Sequence, residues 1–280
     1  MPSLTDGGLA VVAAAGWLGW FRQARRSRST QVPPDAITAF RKRVLAAHAT
    51  AFELHTAVLG AFEDALVKER QGTGPFSVAI DMLMYQAFKS DGTVSVLAQH
   101  GLLEDAATIA RRLMELAVQA LYLWADGNTT LQEQRASRYL AHMWRQLPAR
   151  ALAQMPEEIQ AQWRAIDTEV GPSLPANATR WGPRWKEMFA AVGASEMYDD
   201  DYSLLSSMAH GSPEDLVVHF SLTRIRVHRH EHAWVLLWYA TKYFMIVAAT
   251  WNNAFAIMPD AQVQALLNRV QSWQRPTAVP

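Results

Sequence analysis

The chain has 280 residues, half of them apolar, which is enough to form one sizeable core. Lysine plus arginine and aspartate plus glutamate are equal at 26 each, which excludes a global positive field that would attract nucleic acid or acidic membranes and leaves only local patches. The absence of cysteine excludes disulfides, thiolate nucleophiles and cysteine-ligated metal sites.

The amino-terminal segment is apolar and is followed by a basic linker. Gly7 to Phe21 carry no charge, and four arginines follow before residue 29. As a helix this stretch would span roughly 22 Å, which is short of the roughly 30 Å hydrocarbon core of a bilayer. Two interpretations stay open: a membrane contact that tethers a cytoplasmic protein to the inner membrane, or a hydrophobic helix packed on the domain or a partner. We divide the chain into residues 1–34, the apolar segment plus linker, and residues 35–280, a single helical domain.

Helical periodicity dominates the rest of the chain. The predicted helices cover residues 35–70, 76–100, 103–125, 130–149, 156–170, a short stretch from Pro183, a stretch after the acidic triplet Asp199 to Asp201, 231–257 and 260–273. Gly101 is predicted to end the second helix, and the acidic triplet is predicted to cap the helix that follows it.

The predicted fold class is all-α. Helix 231–257 is the most apolar and is predicted to be a central buried helix, although residues 216–225 have an extended pattern with no assigned role. No solenoid repeat and no long strand alternation occurs in the sequence. We therefore predict a multi-helix bundle with long antiparallel helices and a buried apolar helix near the carboxyl terminus.

Two pairs of polar residues form the candidate catalytic site. Arg111 and Glu115 are four residues apart on one helix face, in the order opposite to the one that suits the helix dipole, which indicates a tertiary purpose. A buried ion pair that fixes one helix against another is the structural alternative. Ser206 and His210 are also four apart on one face. Since no Gly-x-Ser-x-Gly elbow is present, acyl transfer is not expected.

A basic patch before the buried helix is the candidate phosphate-binding site. Its arginines are Arg224, Arg226 and Arg229, interleaved with histidines at 228, 230 and 232. Alternate histidines on a strand can share zinc, but the interleaved arginines favour either an exposed polar turn or an anion-binding patch. We predict no metal site and no cofactor.

The polar residues also carry a family resemblance. Over residues 97–124 and 181–212 the chain resembles the DUF5677 family of uncharacterised bacterial helical proteins, through Arg111, Glu115, Trp181, Tyr202, Ser206 and His210. The resemblance implies a helical fold and a distant relation to HEPN-type ribonucleases and abortive-infection proteins. That relation in turn implies a role in phage defence or a toxin system.

Two functional hypotheses follow from these residues. The first is a non-enzymatic interaction or defence-associated module in which Arg111, Glu115, Ser206 and His210 form a structural polar core. The second is a metal-independent ribonuclease in which the arginines hold RNA phosphate and His210 is the general acid or base, while Glu115 orients Arg111 or the imidazole and Ser206 positions the ring. A homodimer is compatible with both, because the apolar helices offer more surface than one core can bury.

Overall fold

Helices account for nearly all of the chain that the computed structural model describes, which is residues 34–68, 72, 74–170, 181–210, 220–221, 224–225 and 232–273. The predicted membrane contact at Gly7 to Phe21 and the arginines Arg226 and Arg229 lie outside these residues. The chain divides into two units, residues 1–42 and 43–280. The first unit contains the beginning of a helix, at residues 34–42, and the second unit contains the end of that helix and the remaining elements.

The described elements confirm an all-α fold. In chain order they are α1 (Pro34–Ala47), α2 (Ala49–Leu66), α3 (Pro75–Gln99), α4 (Leu103–Trp124), α5 (Thr129–Gln146), α6 (Ala149–Ala153), α7 (Glu157–Val170), α8 (Trp185–Ala191), α9 (Ser195–Met197), a π-helical turn (Tyr198–Tyr202), α10 (Ser203–His210), β1 (Phe220–Ser221), β2 (Arg224–Ile225), α11 (Ala233–Phe255) and α12 (Asp260–Gln271). The two short strands pair antiparallel, with Phe220 opposite Ile225, so part of the unassigned extended segment forms a hairpin.

The predicted single helix over residues 35–70 is wrong, because the structure breaks it at His48. His48 has non-helical backbone angles, and its peptide N–H still donates to Val44 O at 3.1 Å, while its carbonyl accepts from the peptide N–H groups of Ala51 and Phe52. The imidazole is buried, at 2 % exposure. Neither glycine nor proline marks this position, so sequence punctuation could not reveal the break.

The corner between α3 and α4 is closed by Gly101, as predicted. Its φ is +69°, a left-handed conformation that glycine adopts without steric cost. The N–H of Gly101 donates to Ala98 O and that of Leu102 donates to Leu97 O, both at 3.0 Å. These two bonds form a Schellman motif, which satisfies the last carbonyls of α3 and turns the chain directly into α4.

Helix α11 is the central buried helix, as predicted. It packs against α2, α3, α4 and α12, and its large side chains Tyr243, Phe244 and Trp251 have no exposed surface. Among the described residues, α11 is long and apolar enough to cross a membrane, yet 67 % of its most apolar window is buried inside the protein. Its apolar surface is therefore used by the core.

One ionisable pair lies entirely inside this core. His55 on α2 and Asp91 on α3 are both 0 % exposed, and His55 Nε2 lies 3.1 Å from Asp91 Oδ2. Burial lowers the pKa of His55, but the charge of the nearby Asp91 carboxylate outweighs burial, so the pKa is raised above its usual 6.5. The pair ties α2 to α3 through an interaction that has no contact with water.

Candidate ligand-binding site

Arg111 and Glu115 belong to a three-residue ionic cluster on α4. Glu115 Oε1 lies 3.9 Å from Arg111 Nε, and its Oε2 accepts a hydrogen bond from Arg112 Nη1 at 3.3 Å. The Glu115 side chain is only 13 % exposed, against 23 % for Arg111 and 46 % for Arg112. The Glu115 carboxylate therefore forms ion pairs with two guanidinium groups, and the net charge of the three side chains is positive.

Tyr202, at the end of the π-helical turn, brings the neighbouring segment onto this cluster. The Arg111 guanidinium carbon lies 5.9 Å from the centroid of the Tyr202 ring, which is a cation–π contact. Burial raises the pKa of Tyr202, and the nearby Glu115 carboxylate, to which its hydroxyl donates, raises it further. The phenol thus stays protonated and acts as a hydrogen-bond donor to Glu115.

The predicted partners Ser206 and His210 lie on α10, which packs along α4. Ser206 Oγ is buried and has no hydrogen-bond partner within the described part of the chain. The side chains of His210 and Arg224 lie outside the described residues, as do Arg226 and Arg229. The structure therefore brings Arg111 and Glu115 together and places Ser206 on the helix packed against theirs, while the role of His210 stays a prediction.

The sequence pattern predicted that the acidic triplet caps a helix, and this prediction is wrong. Asp199 to Asp201 lie inside the π-helical turn, within a run that is helical from Ser195 to His210. A π turn contains an extra residue per turn, so it changes which side chains face a neighbouring helix. Here it directs Asp201 towards α11, whereas Tyr202 contacts the cluster on α4.

Asp201 is the centre of a second polar cluster, with α11. Its carboxylate accepts hydrogen bonds from Tyr239 Oη at 3.2 Å, from Lys242 Nζ at 2.8 Å and from the Tyr243 hydroxyl. Burial raises the pKa of Tyr239 to about 12, with the Asp201 charge adding to the effect, and it raises the pKa of Tyr243 in the same way. Both phenols are held as donors, so the cluster fastens the π turn to the central helix.

A cavity of about 290 Å³ opens beside Trp181, and we call it the Trp181 cavity. Its lining combines aromatic, polar and thioether side chains from α4, α5, α8 and the segment before α8: Arg112, Gln119, Tyr139, His142, Met143, Trp181, Gly182, Pro183, Trp185 and Met188. The Trp181 ring is fixed by Tyr139, edge to face at 5.1 Å, and by Tyr122 at 5.7 Å. The position of the Trp181 ring is therefore fixed by Tyr139, which also lines the cavity, and by Tyr122, which is not among the lining residues.

The polar groups of the cavity come from two helices. Arg112 and Gln119 are seven residues apart, two turns of α4, and Tyr139 and His142 are three apart on α5. Burial lowers the pKa of His142, and the nearby charge of Arg145 lowers it further, so His142 is neutral at pH 7. Among the described residues that line the cavity there is no carboxylate, and Arg112 supplies the formal charge among them.

Of these cavity residues, Trp181 was identified from the sequence only through the family resemblance and Pro183 only as a helix start, and no cavity was predicted. The available signal was a glutamine on the apolar face of α4, spaced two turns from an arginine, because a polar residue on a buried face usually has a specific partner. Asp201 and Lys242 were also missed as a pair, since they are far apart in sequence and no periodic pattern joins them. Among the described residues, no group of three or more histidine, aspartate or glutamate side chains could hold a metal ion.

The fold and these clusters define an all-α protein with a polar centre shared by α4 and the segment from α9 to α10. The family described as "Family of unknown function (DUF5677)" matches residues 80–224, and the chain belongs to it. The matched range contains Arg111, Glu115, Tyr202 and the Trp181 cavity, but not the α11 residues that bind Asp201. No curated protein and no solved structure matches the chain.

Proposed function

We propose that this protein is a non-enzymatic interaction module in which the cluster of Arg111, Glu115 and Tyr202 is structural. The observation that carries the proposal is the saturation of Glu115. Its carboxylate is shared by two arginines, is bonded by the Tyr202 phenol and is 13 % exposed. A buried charge with several partners fixes the relative position of the elements that supply them.

The same saturation argues against a catalytic role for the acid. A general base must reach the proton that it abstracts and must change its protonation state during the reaction. Glu115 instead faces two permanent positive charges and a hydrogen-bond donor from its own chain. Ser206 Oγ, the predicted positioning group, is buried and forms no hydrogen bond within the described part of the chain, so no contact there supports the positioning role.

The test compares stability with activity. Replacing Glu115 by glutamine removes the charge but keeps the shape, and we expect the free energy of unfolding to fall by about 1–3 kcal/mol because the arginines lose their partner. Glu53→Gln is the matched control, since Glu53 is an exposed glutamate on α2, and it should change stability by less than about 0.5 kcal/mol.

A ribonuclease would give the opposite pattern. Purified protein should leave single-stranded RNA intact in the presence of a chelator. RNA cleavage that disappears in His210→Ala, while the melting temperature of that variant equals that of the unchanged protein, would overturn the proposal. It would establish the metal-independent ribonuclease instead.

A further inference from the structure

We propose that the Trp181 cavity binds a planar heteroaromatic ring that carries an anionic group, which is the chemistry of a nucleotide. This inference rests on the proposed function, because it names the partner that an interaction module would hold without converting it. The shape of the cavity, the unpartnered amide of Gln119 and the charge of Arg112 support it separately.

The shape and the walls suit a single flat ring system. The cavity volume of about 290 Å³ is at the small end of the range of ligand pockets. Trp181, Trp185 and Tyr139 contribute aromatic surface, and Trp181 is held by its ring contacts with Tyr139 and Tyr122. A fixed aromatic surface accepts a nucleobase by stacking, because every base offers a π face.

Gln119 supplies the hydrogen-bonding group. The residue is 4 % exposed, it lines the cavity, and its side-chain amide forms no hydrogen bond within the described part of the chain. The amide atoms are not sealed from solvent, so they face the cavity, where water or a ligand is their hydrogen-bond partner. An amide offers a donor and an acceptor side by side, which matches the edge of a heterocycle with adjacent ring nitrogen and amino or carbonyl groups.

Arg112 supplies the charge for the anionic group. Its side chain is 46 % exposed and uses one nitrogen, Nη1, on Glu115, so guanidinium donors are left for a ligand. The described residues of the lining include no acid that would repel an anion, and Glu115 is shared with a second arginine. A guanidinium group binds a phosphate through two parallel hydrogen bonds, which gives both affinity and orientation.

The phosphate-bearing ring could belong to a free nucleotide or to an unpaired residue of an RNA strand. Calorimetric titrations of the intact protein separate the two sources, with the four nucleoside 5′-monophosphates in one arm and a short single-stranded oligoribonucleotide in the other. Saturable binding of a monophosphate assigns the cavity to free nucleotides, and binding of the oligonucleotide alone assigns it to RNA.

The variants locate the binding. Gln119→Met and Arg112→Gln should each weaken binding by about tenfold or more, whereas Arg138→Gln, an exposed arginine of α5 outside the lining, should leave it unchanged. Gln119→Met should leave the melting temperature of the unliganded protein close to that of the unchanged protein, because the amide forms no hydrogen bond within the described part of the chain that the substitution would break. That result would distinguish a ligand-binding group from a packing group.

The remaining outcomes separate this proposal from the proposed function. Binding of neither probe, or binding that both variants leave unchanged, would overturn the nucleotide site while the interaction module stands. Cleavage of the oligonucleotide that His210→Ala abolishes would overturn the interaction module, and the effects of Gln119→Met and Arg112→Gln on monophosphate binding would then decide the nucleotide site.

Discussion

The buried pair of His55 and Asp91 should make the stability of this protein depend on pH in a definite direction. Because the folded-state pKa of His55 is raised above 6.5, the pair stabilises the fold fully below the unfolded-state pKa. At a pH above the unfolded-state pKa, His55 releases its proton in the unfolded chain but keeps the proton in the folded chain. The free energy of unfolding should therefore fall by about 1.4 kcal/mol per pH unit until the folded-state pKa is passed.

Asp91→Asn is the perturbation that tests this reasoning. At a pH below 6.5 it should lower the free energy of unfolding by about 3–5 kcal/mol, because an imidazolium would be buried without its counterion. In the variant only burial acts on His55, so its pKa is lowered and the imidazole must lose its proton on folding. In the variant, the contribution of His55 to the free energy of unfolding should therefore increase as the pH rises. In the unchanged protein the same contribution decreases as the pH rises.

The assay is urea unfolding at several pH values between about 5.5 and 8, where histidine titrates. The quantity that matters is the difference in unfolding free energy between the two proteins, since the other histidines are common to both. Asp64→Asn, an exposed aspartate on the same helix as His55, is the control and should shift every value by less than about 0.5 kcal/mol. A difference below about 1 kcal/mol that does not change with pH would show that the pair does not stabilise the fold.

Three further predictions concern two glycines, the Asp201 cluster and α11. Gly60→Ala should raise the free energy of unfolding by about 0.5–1 kcal/mol, because a Cβ there meets nothing within 4 Å, whereas Gly193→Ala should lower it because φ is +71°; thermal unfolding tests both. Asp201→Asn should lower the pKa of the tyrosines that it contacts, as seen by alkaline absorbance titration, and an unchanged titration would contradict the assigned contacts. Trp251→Phe should cost at least about 1–3 kcal/mol in urea unfolding, because Asp81 loses an indole donor at 2.9 Å, and Asp81→Asn should cost less because it keeps an acceptor.

The parts of the fold that local chemistry determines could be predicted from the sequence. Gly101 ends its helix because only the left-handed conformation closes the corner, and α11 is buried because its residues are apolar on nearly every face. The break at His48 could not be predicted, since no glycine or proline marks the position and the apolar spacing continues through it.

The candidate site was predictable in part for the same reason. The inverted order of Arg111 and Glu115 indicated a tertiary contact, and Tyr202 provides it. The sequence could not show that Glu115 is shared with Arg112, because the choice between two adjacent arginines depends on helix orientation. The capping role of the acidic triplet was predicted on the assumption that a regular helix begins after it. The triplet lies inside the π turn of a run that is already helical, so it does not precede a helix start.

The late position of α11 in the chain has a consequence for synthesis. Helices α2, α3 and α4 all pack on α11, yet they leave the ribosome well before it. At roughly 5–20 residues per second, their apolar faces wait on the order of ten seconds for residue 255 to be added. During that interval the nascent chain exposes surface that binds chaperones or other nascent chains. A chain released before residue 233 should accordingly be recovered in the insoluble fraction.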